Sequence, residues 1–199
     1  MEFLNLIDEL YQSLFEPTDS ICKLLMIKRC KYFLGLKDED FLGDYYYQNI
    51  KAKEEGVVYT PEAIASYMIK GTVYEEEVLR NPFLRILDPS CGCGHILLPL
   101  FKYLKNIYMQ NLQTINSTTG LNLNMDNIAE HIVKNNLFGV DIDSTSLKIL
   151  SIELFLLSGY IEKDNMMRKD FITEDLEDKF NIVIGNPPYI GTKSIDKVY

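Results

Sequence analysis

The stretch ILDPSCGCG, residues 86–94, is the strongest indication of the fold. Its first residues end an apolar run typical of a buried strand, and the proline and glycines that follow are typical of a tight turn. A helix is predicted to follow from Gly94. A strand, a glycine turn and a helix in this order are typical of doubly wound sheets, which bind nucleotides at the carboxyl end of the first strand. A plain tight turn is the alternative, since a single glycine pattern is weak evidence.

Around this turn the chain alternates between short apolar segments and amphipathic ones. Strands are predicted at residues 84–88, 137–142, 166–171 and 181–185. Helices are predicted at residues 63–79, 94–110 and 144–158 and from residue 126, with a polar insert at 111–124. Strands that alternate with helices predict an α/β fold, in which a parallel sheet carries helices on its faces.

The N-terminal part of the chain has a different rhythm. Helices are predicted at residues 3–15, 20–34 and 38–50, with Gly35 as the stop of the second one. We therefore divide the chain into an N-terminal helical segment, residues 1–55, and an α/β domain, residues 56–199. Thr60 and Pro61 are typical of the N-cap and the first residue of a helix, so they are predicted to begin the first helix of that domain.

The composition is that of an acidic globular protein. The chain has 199 residues, of which 47% are hydrophobic, and a net charge of −9. This charge argues against the chain alone being a strong nucleic-acid binder. The longest apolar run, residues 96–101, is far shorter than the ~18 residues of a membrane span, so no membrane location is expected. The acidic N-terminus and four cysteines in two close pairs favour a reduced cytoplasmic protein.

Cys91, Cys93 and His95 form a conceivable metal-ligating group. Both cysteines would have to face one ion from within a turn, and the sequence has no second cluster of ligands elsewhere. We therefore expect no metal, and we expect His95 to lie on a helix surface or to be partly packed.

Asp141 is a second candidate site residue, because it lies near the end of the predicted strand 137–142. A carboxylate at this place can accept hydrogen bonds from both ribose hydroxyls of a nucleoside. The alternative is a cap for the following helix. Asp143 or Ser144 can serve as that cap, which would leave Asp141 to a ligand.

Asp170 and Phe171 end the predicted strand 166–171. They could offer a hydrogen-bond acceptor and an aromatic wall to an adenine ring. The alternative is that Phe171 simply belongs to the core, as most phenylalanines do.

The most specific signal is Asn186-Pro187-Pro188-Tyr189, directly after the predicted strand 181–185. The two prolines fix the backbone and leave carbonyl groups free to accept, and Asn186 adds a side-chain carbonyl. A planar amino group could donate both of its protons there while Tyr189 stacks on the attached ring. A rigid loop at the end of a strand is the alternative.

In this order, the motifs resemble the S-adenosylmethionine-dependent DNA adenine-N6 methyltransferases, in particular the gamma-class enzymes of restriction-modification systems. The matching segments are residues 58–61, 88–94, 141, 170–171 and 186–189. The resemblance implies a Rossmann-like class I methyltransferase sheet, of which this chain holds strands 1 to 4. It also implies S-adenosyl-L-methionine as the cofactor and an adenine flipped out of double-stranded DNA as the substrate.

The resemblance also implies roles for individual residues. The side chain of Asn186 and the carbonyl of Pro187 would accept the N6 protons of adenine, and Tyr189 would stack on the base. The catalytic residues would be Asn186, Pro187, Pro188 and Tyr189. The cofactor-binding residues would be Thr60, Asp88, Pro89, Ser90, Cys91, Gly92, Gly94, Asp141, Ile142, Asp170, Phe171 and Pro188.

The same resemblance leads us to expect further parts of the protein. Three more strands and a target-recognition domain are expected beyond residue 199, so the catalytic domain would be truncated here. An open sheet edge would favour self-association, and the chain alone is expected to be inactive. Double-stranded DNA and a cognate restriction endonuclease are the expected partners of the full-length protein.

Three alternative functions stay open. Protein-glutamine and RNA methyltransferases share the Asn-Pro-Pro-Tyr motif, a fused restriction-modification enzyme would carry its nuclease outside this chain, and the chain could bind cofactor without catalysis. Residues 177–179 fit half of a nuclease site but are interpreted as a solvated turn. The cations at 23, 28, 29 and 31 are compatible with a phosphate-contacting or a solvated helix face, and Lys193 and Lys197 are candidates for DNA contacts.

Overall fold

A computed structural model describes residues 3–51 and 59–187 of the chain. The helices are α1 (Phe3–Ser13), α2 (Ser20–Phe33), α3 (Leu42–Asn49), α4 (Glu62–Thr72), α5 (Glu75–Arg80), α6 (Leu97–Thr119), α7 (Ile128–Asn135) and α8 (Ser144–Ser158). The strands are β1 (Ile86–Asp88), β2 (Leu137–Asp141), β3 (Met166–Arg168) and β4 (Ile182–Val183). The boundary predicted at 55–56 and the predicted site residues Pro188 and Tyr189 lie outside the described ranges. Within those ranges, no helix is long and apolar enough to cross a membrane.

The strands form one parallel sheet in the order β3-β2-β1-β4. The predicted α/β fold is therefore confirmed, since parallel neighbours are joined by crossover connections such as the predicted helices. The strands are shorter than predicted, and the one expected at 166–171 ends at Arg168. Because all strands run the same way, Asp88, Asp141 and Gly185 lie together at the carboxyl edge of the sheet.

Among the described residues, helices cover one face of the sheet and not both faces as predicted, and a loop covers the other face. Ile86 and Leu137 are fully buried on the helical face, in a core that they share with α4, α6, α7 and α8. The opposite face of β1 and β2 is covered by side chains of the segment that leads to β4. The residues of this smaller core are Leu87, Phe138, Val140, Met167, Leu176 and Phe180.

The N-terminal helices α1 to α3 form a second core with α8. Leu150 of α8 packs in the sheet core, whereas Ile149 packs against the N-terminal helices. Lys31 crosses this contact and pairs with Glu153 (Nζ to Oε1, 3.2 Å), and the two side chains are only 3% and 9% exposed. Neither a phosphate-contacting nor a solvated role is therefore correct for Lys31.

The helix predicted at 63–79 is broken into α4 and α5. The break lies at Val73, whose backbone is extended (φ −107°, ψ 97°) and whose side chain is fully buried. Burial of this β-branched side chain outweighs continuation of the helix. The expected N-cap is also wrong, because α4 begins at Glu62 directly after Pro61 and has no side-chain cap bond there. The hydroxyl of Thr60 instead accepts a hydrogen bond from the side chain of Asn186.

The polar insert predicted at 111–124 is helical as far as Thr119. A kink at Asn111 (φ −121°, ψ 18°) separates the two parts of α6. The helix continues because Ile115 is fully buried, and it ends at Gly120, which is left-handed with φ 73°. The polar composition was misleading because hydroxyls such as that of Thr119 bond back to helical carbonyls. The third predicted helix also starts later than residue 38, at Leu42.

Candidate active site

A small cavity of about 30 Å³ lies at the carboxyl edge of the sheet, where β1 and β4 end. It is bounded by the turn after β1, by Asn186, which lies three residues beyond β4, by the residues just before α4 and by α3. The lining residues are Tyr47, Tyr59, Thr60, Asp88, Ser90, Cys91, Gly92, His95, Ile96 and Asn186. The structure therefore brings together predicted site residues from three separate motifs of the sequence.

The turn after β1 depends on glycine. Gly92 has a φ of 50° and Gly94 a φ of 99°, a region of backbone conformation that favours glycine. A Cβ atom on Gly92 would also collide with the hydroxyl of Tyr47. That hydroxyl accepts a hydrogen bond from the backbone N–H of Cys93 at 3.3 Å. Helix α3 thus holds the turn from outside, and any side chain at residue 92 would push the two apart.

Asp88 is the last residue of β1, and it is 1% exposed. Burial raises the pKa of its carboxyl to about 7, and the charge of Asp141 acts in the same direction. The backbone N–H of Ser90, 3.1 Å from Oδ1, lowers the pKa but does not offset the burial. A buried carboxyl of this kind ionises readily when a cationic group binds beside it.

The hydroxyl of Ser90 is buried and has no hydrogen-bond partner among the described residues. Buried polar atoms are paired in nearly all folded proteins, so an orphaned hydroxyl marks a place for a polar ligand atom. Both Ser90 and Asp88 line the cavity. A carboxylate beside a hydroxyl fits a ligand that carries both an ammonium group and a hydrogen-bonding group, such as the amino-acid end of a larger molecule.

The carboxylate of Asp141 links the ends of β1 and β2. Oδ2 accepts from the backbone N–H of Gly92 at 2.8 Å, and Oδ1 accepts from that of Asp143 at 2.8 Å. Burial raises the pKa of Asp141, although these two bonds oppose the shift. Asp143 caps α8 by accepting from the N–H of Thr145. Of the two predicted caps, Asp143 and Ser144, Asp143 is therefore the correct one. Each oxygen of Asp141 has a second lone pair, so a ligand can bond there as well.

Asn186 is joined to Thr60 across 126 residues of sequence. Its Nδ2 atom donates a hydrogen bond to Oγ1 of Thr60 at 3.2 Å. The close approach of the two motifs depends on Gly185, where a Cβ atom would lie 2.8 Å from Cδ of Pro89 and 2.9 Å from Oδ1 of Asp88. The backbone after β4 therefore lies directly against the turn after β1.

An aromatic wall on one side of the cavity was not predicted from the sequence. The imidazole of His95 lies 5.5 Å from the ring of Tyr47 and 5.1 Å from that of Tyr59, between ring centroids. Its Nε2 atom lies 3.0 Å from Oδ1 of Asp44, and burial lowers its pKa despite that carboxylate. The available signal was the position of His95 directly after the glycine turn, together with the tyrosine run that precedes residue 48.

The thiols of the turn are buried and protonated at neutral pH. Cys91 is buried against Gly139, and burial raises the pKa of its thiol well above the ordinary value. Burial likewise raises the pKa of Cys93 to about 12. In the part of the chain that the structure describes, no group of three His, Cys, Asp or Glu side chains could hold a metal ion.

Other predicted site residues lie at the same edge but do not line the cavity. Asp170 and Phe171 were predicted to end a strand. This prediction is wrong, because β3 ends at Arg168 and both residues follow it in a turn. Oδ1 of Asp170 accepts from the N–H of Ile172 at 3.0 Å, and this bond lowers the pKa of the carboxyl. Ile142 is 68% exposed and Phe171 44%. Pro187 is exposed, while Pro188 and Tyr189 lie outside the described residues.

Comparison with known proteins identifies the family of this chain. A family model described as N-6 DNA Methylase matches residues 36–197, which is most of the chain. The chain belongs to this family. The match includes α3 with Tyr47, so the N-6 DNA methylase homology extends into the N-terminal helical segment.

Two curated relatives and one solved structure are similar to this chain. A protein of Methanocaldococcus jannaschii, provisionally named a type II restriction enzyme and methyltransferase, is 26% identical over 74% of this chain and 16% of its own length. The adenine-specific methyltransferase BrxX of Escherichia coli is 31% identical over 38% of this chain and 5% of its own. A modification subunit assigned to a type I restriction enzyme of Vibrio vulnificus has a TM-score of 0.48 and 17% identity, over 88% of this chain and 30% of that one. The chain thus spans only a minor part of the relatives that it matches.

Proposed function

We propose that this chain forms the catalytic part of a DNA adenine-N6 methyltransferase of a restriction-modification system. The observation that supports this function best is that Asn186 and Asp88 line one cavity in a chain of the N-6 DNA methylase family. One of these residues belongs to the motif expected to accept the amino protons of adenine. The other belongs to the turn expected to hold a cofactor, so both substrates of a methyl transfer would meet at this edge.

The described residues fit S-adenosyl-L-methionine, which when bound supplies a methyl group on a positively charged sulfur. Asp88, buried and titrating at about pH 7, would hold the ammonium of its amino-acid end, and the orphaned hydroxyl of Ser90 would bond there too. Gly92 lets the hydroxyl of Tyr47 approach the turn, and both residues line the cavity. These three features share the cavity, so we place the amino-acid end of the cofactor there.

The nucleoside end of the cofactor is assigned to the ends of β2 and β3. Asp141 has a second lone pair on each carboxylate oxygen, which suits a pair of ribose hydroxyls. Ile142 is exposed beside it and would contact the adenine ring. Asp170 and Phe171 would supply an acceptor and a wall to the same ring, although the carboxylate of Asp170 also starts a turn.

In the reaction, the chain would act as a hydrogen-bond acceptor for the amino group of the target adenine. The side-chain carbonyl of Asn186 and the backbone carbonyl of Pro187 would accept the two N6 protons of an adenine, which raises the nucleophilicity of that nitrogen. No strong general base is needed, because the nitrogen would be cationic and acidic once methylated and would then release its proton to solvent. A base inside a duplex cannot reach such a site, so the adenine would be flipped out and stacked on Tyr189.

Double-stranded DNA is the proposed substrate, and a restriction endonuclease is the proposed functional partner. The net charge of −9 indicates that most of the grip on DNA would come from other parts of the protein. We infer a cytoplasmic location, since the proposed substrate is found there.

The substrate class is tested by offering three substrates to the complete gene product with tritiated S-adenosylmethionine. Unmethylated DNA, ribosomal RNA and a peptide-chain release factor are compared in parallel. Label in DNA alone supports the proposal. Label in RNA or in the release factor would replace it with one of the other methyltransferase functions, and binding of the cofactor without any transfer would indicate a binding module.

A fused restriction-modification enzyme is the second candidate. The observation that favours it is that the archaeal relative carries both activities in its name. Residues 177–179 do not supply a nuclease site, because they are exposed in a loop where Asp178 pairs with Arg85 (Oδ1 to Nη2, 3.1 Å). Cleavage of unmethylated plasmid by the complete gene product in the presence of Mg²⁺ would support this candidate, and intact plasmid would exclude it.

A further inference from the structure

We propose that Thr60 is a positioning residue for the Asn186 side chain and does not act mainly as a cofactor contact. This inference rests on the proposed function, because Asn186 is there assigned to the target adenine. The geometry that supports it is the hydrogen bond from Nδ2 of Asn186 to Oγ1 of Thr60, 3.2 Å long, at the edge of the cavity.

Thr60 is a well-supported acceptor. It is 6% exposed and stands directly before Pro61, whose carbonyl accepts from the N–H groups of Ile64 and Ala65 at 2.9 and 3.0 Å. Helix α4 then anchors this start in the core through Ala65, which is fully buried. Threonine is stiff about χ1, so its hydroxyl stays where the backbone puts it.

The backbone of Asn186 is supported from the other side. Gly185 lies against Pro89 and Asp88 so closely that a Cβ atom would not fit there. The residue before Gly185 is also held, because the N–H of Ile184 donates to the carbonyl of Leu87 at 2.8 Å. Only the side-chain torsions of Asn186 remain to be fixed, and the bond to Thr60 fixes them.

In this arrangement the carbonyl end of the amide is free to face a ligand. An asparagine amide has two N–H donors on one branch and a carbonyl acceptor on the other. With Nδ2 turned to Thr60, Oδ1 is on the opposite branch and remains an acceptor for the amino group of an adenine. If the amide flipped, its N–H groups would face that amino group and repel it.

Thr60→Val tests this role, because valine keeps the shape and removes the hydroxyl. In the complete gene product we expect kcat to fall about two- to tenfold, the size of one neutral hydrogen bond. The dissociation constant of S-adenosylmethionine, measured by calorimetry, is expected to stay within about twofold. Thr60→Ser, which restores the hydroxyl, is expected to restore kcat.

Thr114→Val is the matched control, since Thr114 is exposed on α6 about 25 Å along the helix from its start. It is expected to leave both constants unchanged. A weaker cofactor affinity in Thr60→Val with kcat preserved would overturn the proposal in favour of a cofactor contact. A kcat and affinity both equal to wild type would overturn it as well.

A spectroscopic readout separates this inference from the proposed function. The two side-chain amide proton signals of Asn186, identified by their loss in Asn186→Ala, are expected to shift in Thr60→Val and to return in Thr60→Ser. If the wild type transfers no methyl group but these signals shift, the proposed function fails and the contact stands. If the signals are the same in wild type and Thr60→Val, the positioning role itself is wrong.

Discussion

The backbone N–H of Gly92 donates a hydrogen bond of 2.8 Å to Oδ2 of Asp141 and so ties the turn after β1 to the end of β2. The other oxygen of the same carboxylate accepts from the N–H of Asp143, the cap residue of α8. One side chain therefore organises two of the loops that surround the proposed cofactor site. Asp141 would act both through this scaffold and through the lone pairs that it offers to a ribose.

Asp141→Ala is expected to weaken the binding of S-adenosylmethionine at least tenfold. The substitution removes the carboxylate oxygens proposed to accept from the ribose, where a hydrogen bond to a charged group contributes about 1.5–3 kcal/mol. It also releases the two loops that the carboxylate holds together. Calorimetry of wild type and variant measures the effect. Asp178→Asn removes a carboxylate from an exposed loop and is the control, with binding unchanged. Equal affinity of Asp141→Ala and wild type would contradict the role of this carboxylate.

Cofactor affinity is expected to depend on pH through Asp88. Its folded pKa is about 7, so below that value the carboxyl must lose a proton before it can hold an ammonium group. The dissociation constant should therefore rise about tenfold for each pH unit below the pKa and level off above it. Calorimetry between about pH 5.5 and 7.5 measures this slope. Asp88→Asn should bind weakly with no such slope, and a slope that survives in this variant would mean that another group titrates.

The raised pKa of Asp88 also predicts a pH dependence of stability. Stability should fall with rising pH, whereas cofactor affinity should increase. The ordinary pKa of the carboxyl is 3.8, so between that value and about 7 the folded protein holds a proton that the unfolded chain has lost. The contribution of Asp88 to the free energy of unfolding is thus greatest at low pH and falls as the pH rises to 7. Urea denaturation should show a smaller decline in Asp88→Asn over this range than in wild type.

Gly92→Ala is expected to damage both folding and cofactor binding, because the Cβ would be strained at φ 50° and would collide with the Tyr47 hydroxyl. Gly120→Ala separates the two causes. Gly120 has φ 73°, and a Cβ atom added there would meet nothing within 4 Å, so this variant should lose only the backbone term of about 1–2 kcal/mol. Removing the hydroxyl with Tyr47→Phe should partly rescue Gly92→Ala in urea denaturation. No rescue would mean that backbone strain alone is responsible.

The sequence was sufficient to predict the fold because its signals are local. The strand, glycine turn and helix around residue 90 each follow from a short pattern, and the alternation of elements then dictates a parallel sheet. The errors arise where tertiary burial overrides local composition. Val73 breaks a helix in order to be buried, and Ile115 extends one through a polar segment.

The candidate site was predictable only in part, for a similar reason. Motif residues such as Asp88 and Asn186 could be named, but hydrogen bonds across the chain could not. The partner of Asn186 is Thr60, which local pattern suggested as a helix cap, and the partner of the glycine turn is Tyr47 from the N-terminal segment. Such pairs join residues far apart in sequence, and no periodicity or spacing encodes them.

The buried ion pair between Lys31 and Glu153 should be important for attaching the N-terminal helices. Lys31→Met leaves an unpaired carboxylate in a site where the side chains are 3% and 9% exposed, which is expected to cost about 3–5 kcal/mol. Lys28→Met is the control, because Lys28 pairs with Asp38 at the surface, where both side chains are at least half exposed. Its loss should cost less than about 1 kcal/mol. Equal unfolding midpoints in urea for the two variants would contradict this difference.

The role of Asn186 is tested most directly by comparing Asn186→Ala with wild type in the complete gene product. Nucleosides from DNA treated with S-adenosylmethionine are analysed by mass spectrometry for N6-methyladenine, and cofactor affinity is measured by calorimetry on the same samples. We expect N6-methyladenine with the wild type, none with the variant, and dissociation constants within about twofold of each other. Product from the variant at the wild-type rate, or a loss of cofactor binding that matches the loss of product, would contradict the assignment of Asn186 to the target adenine.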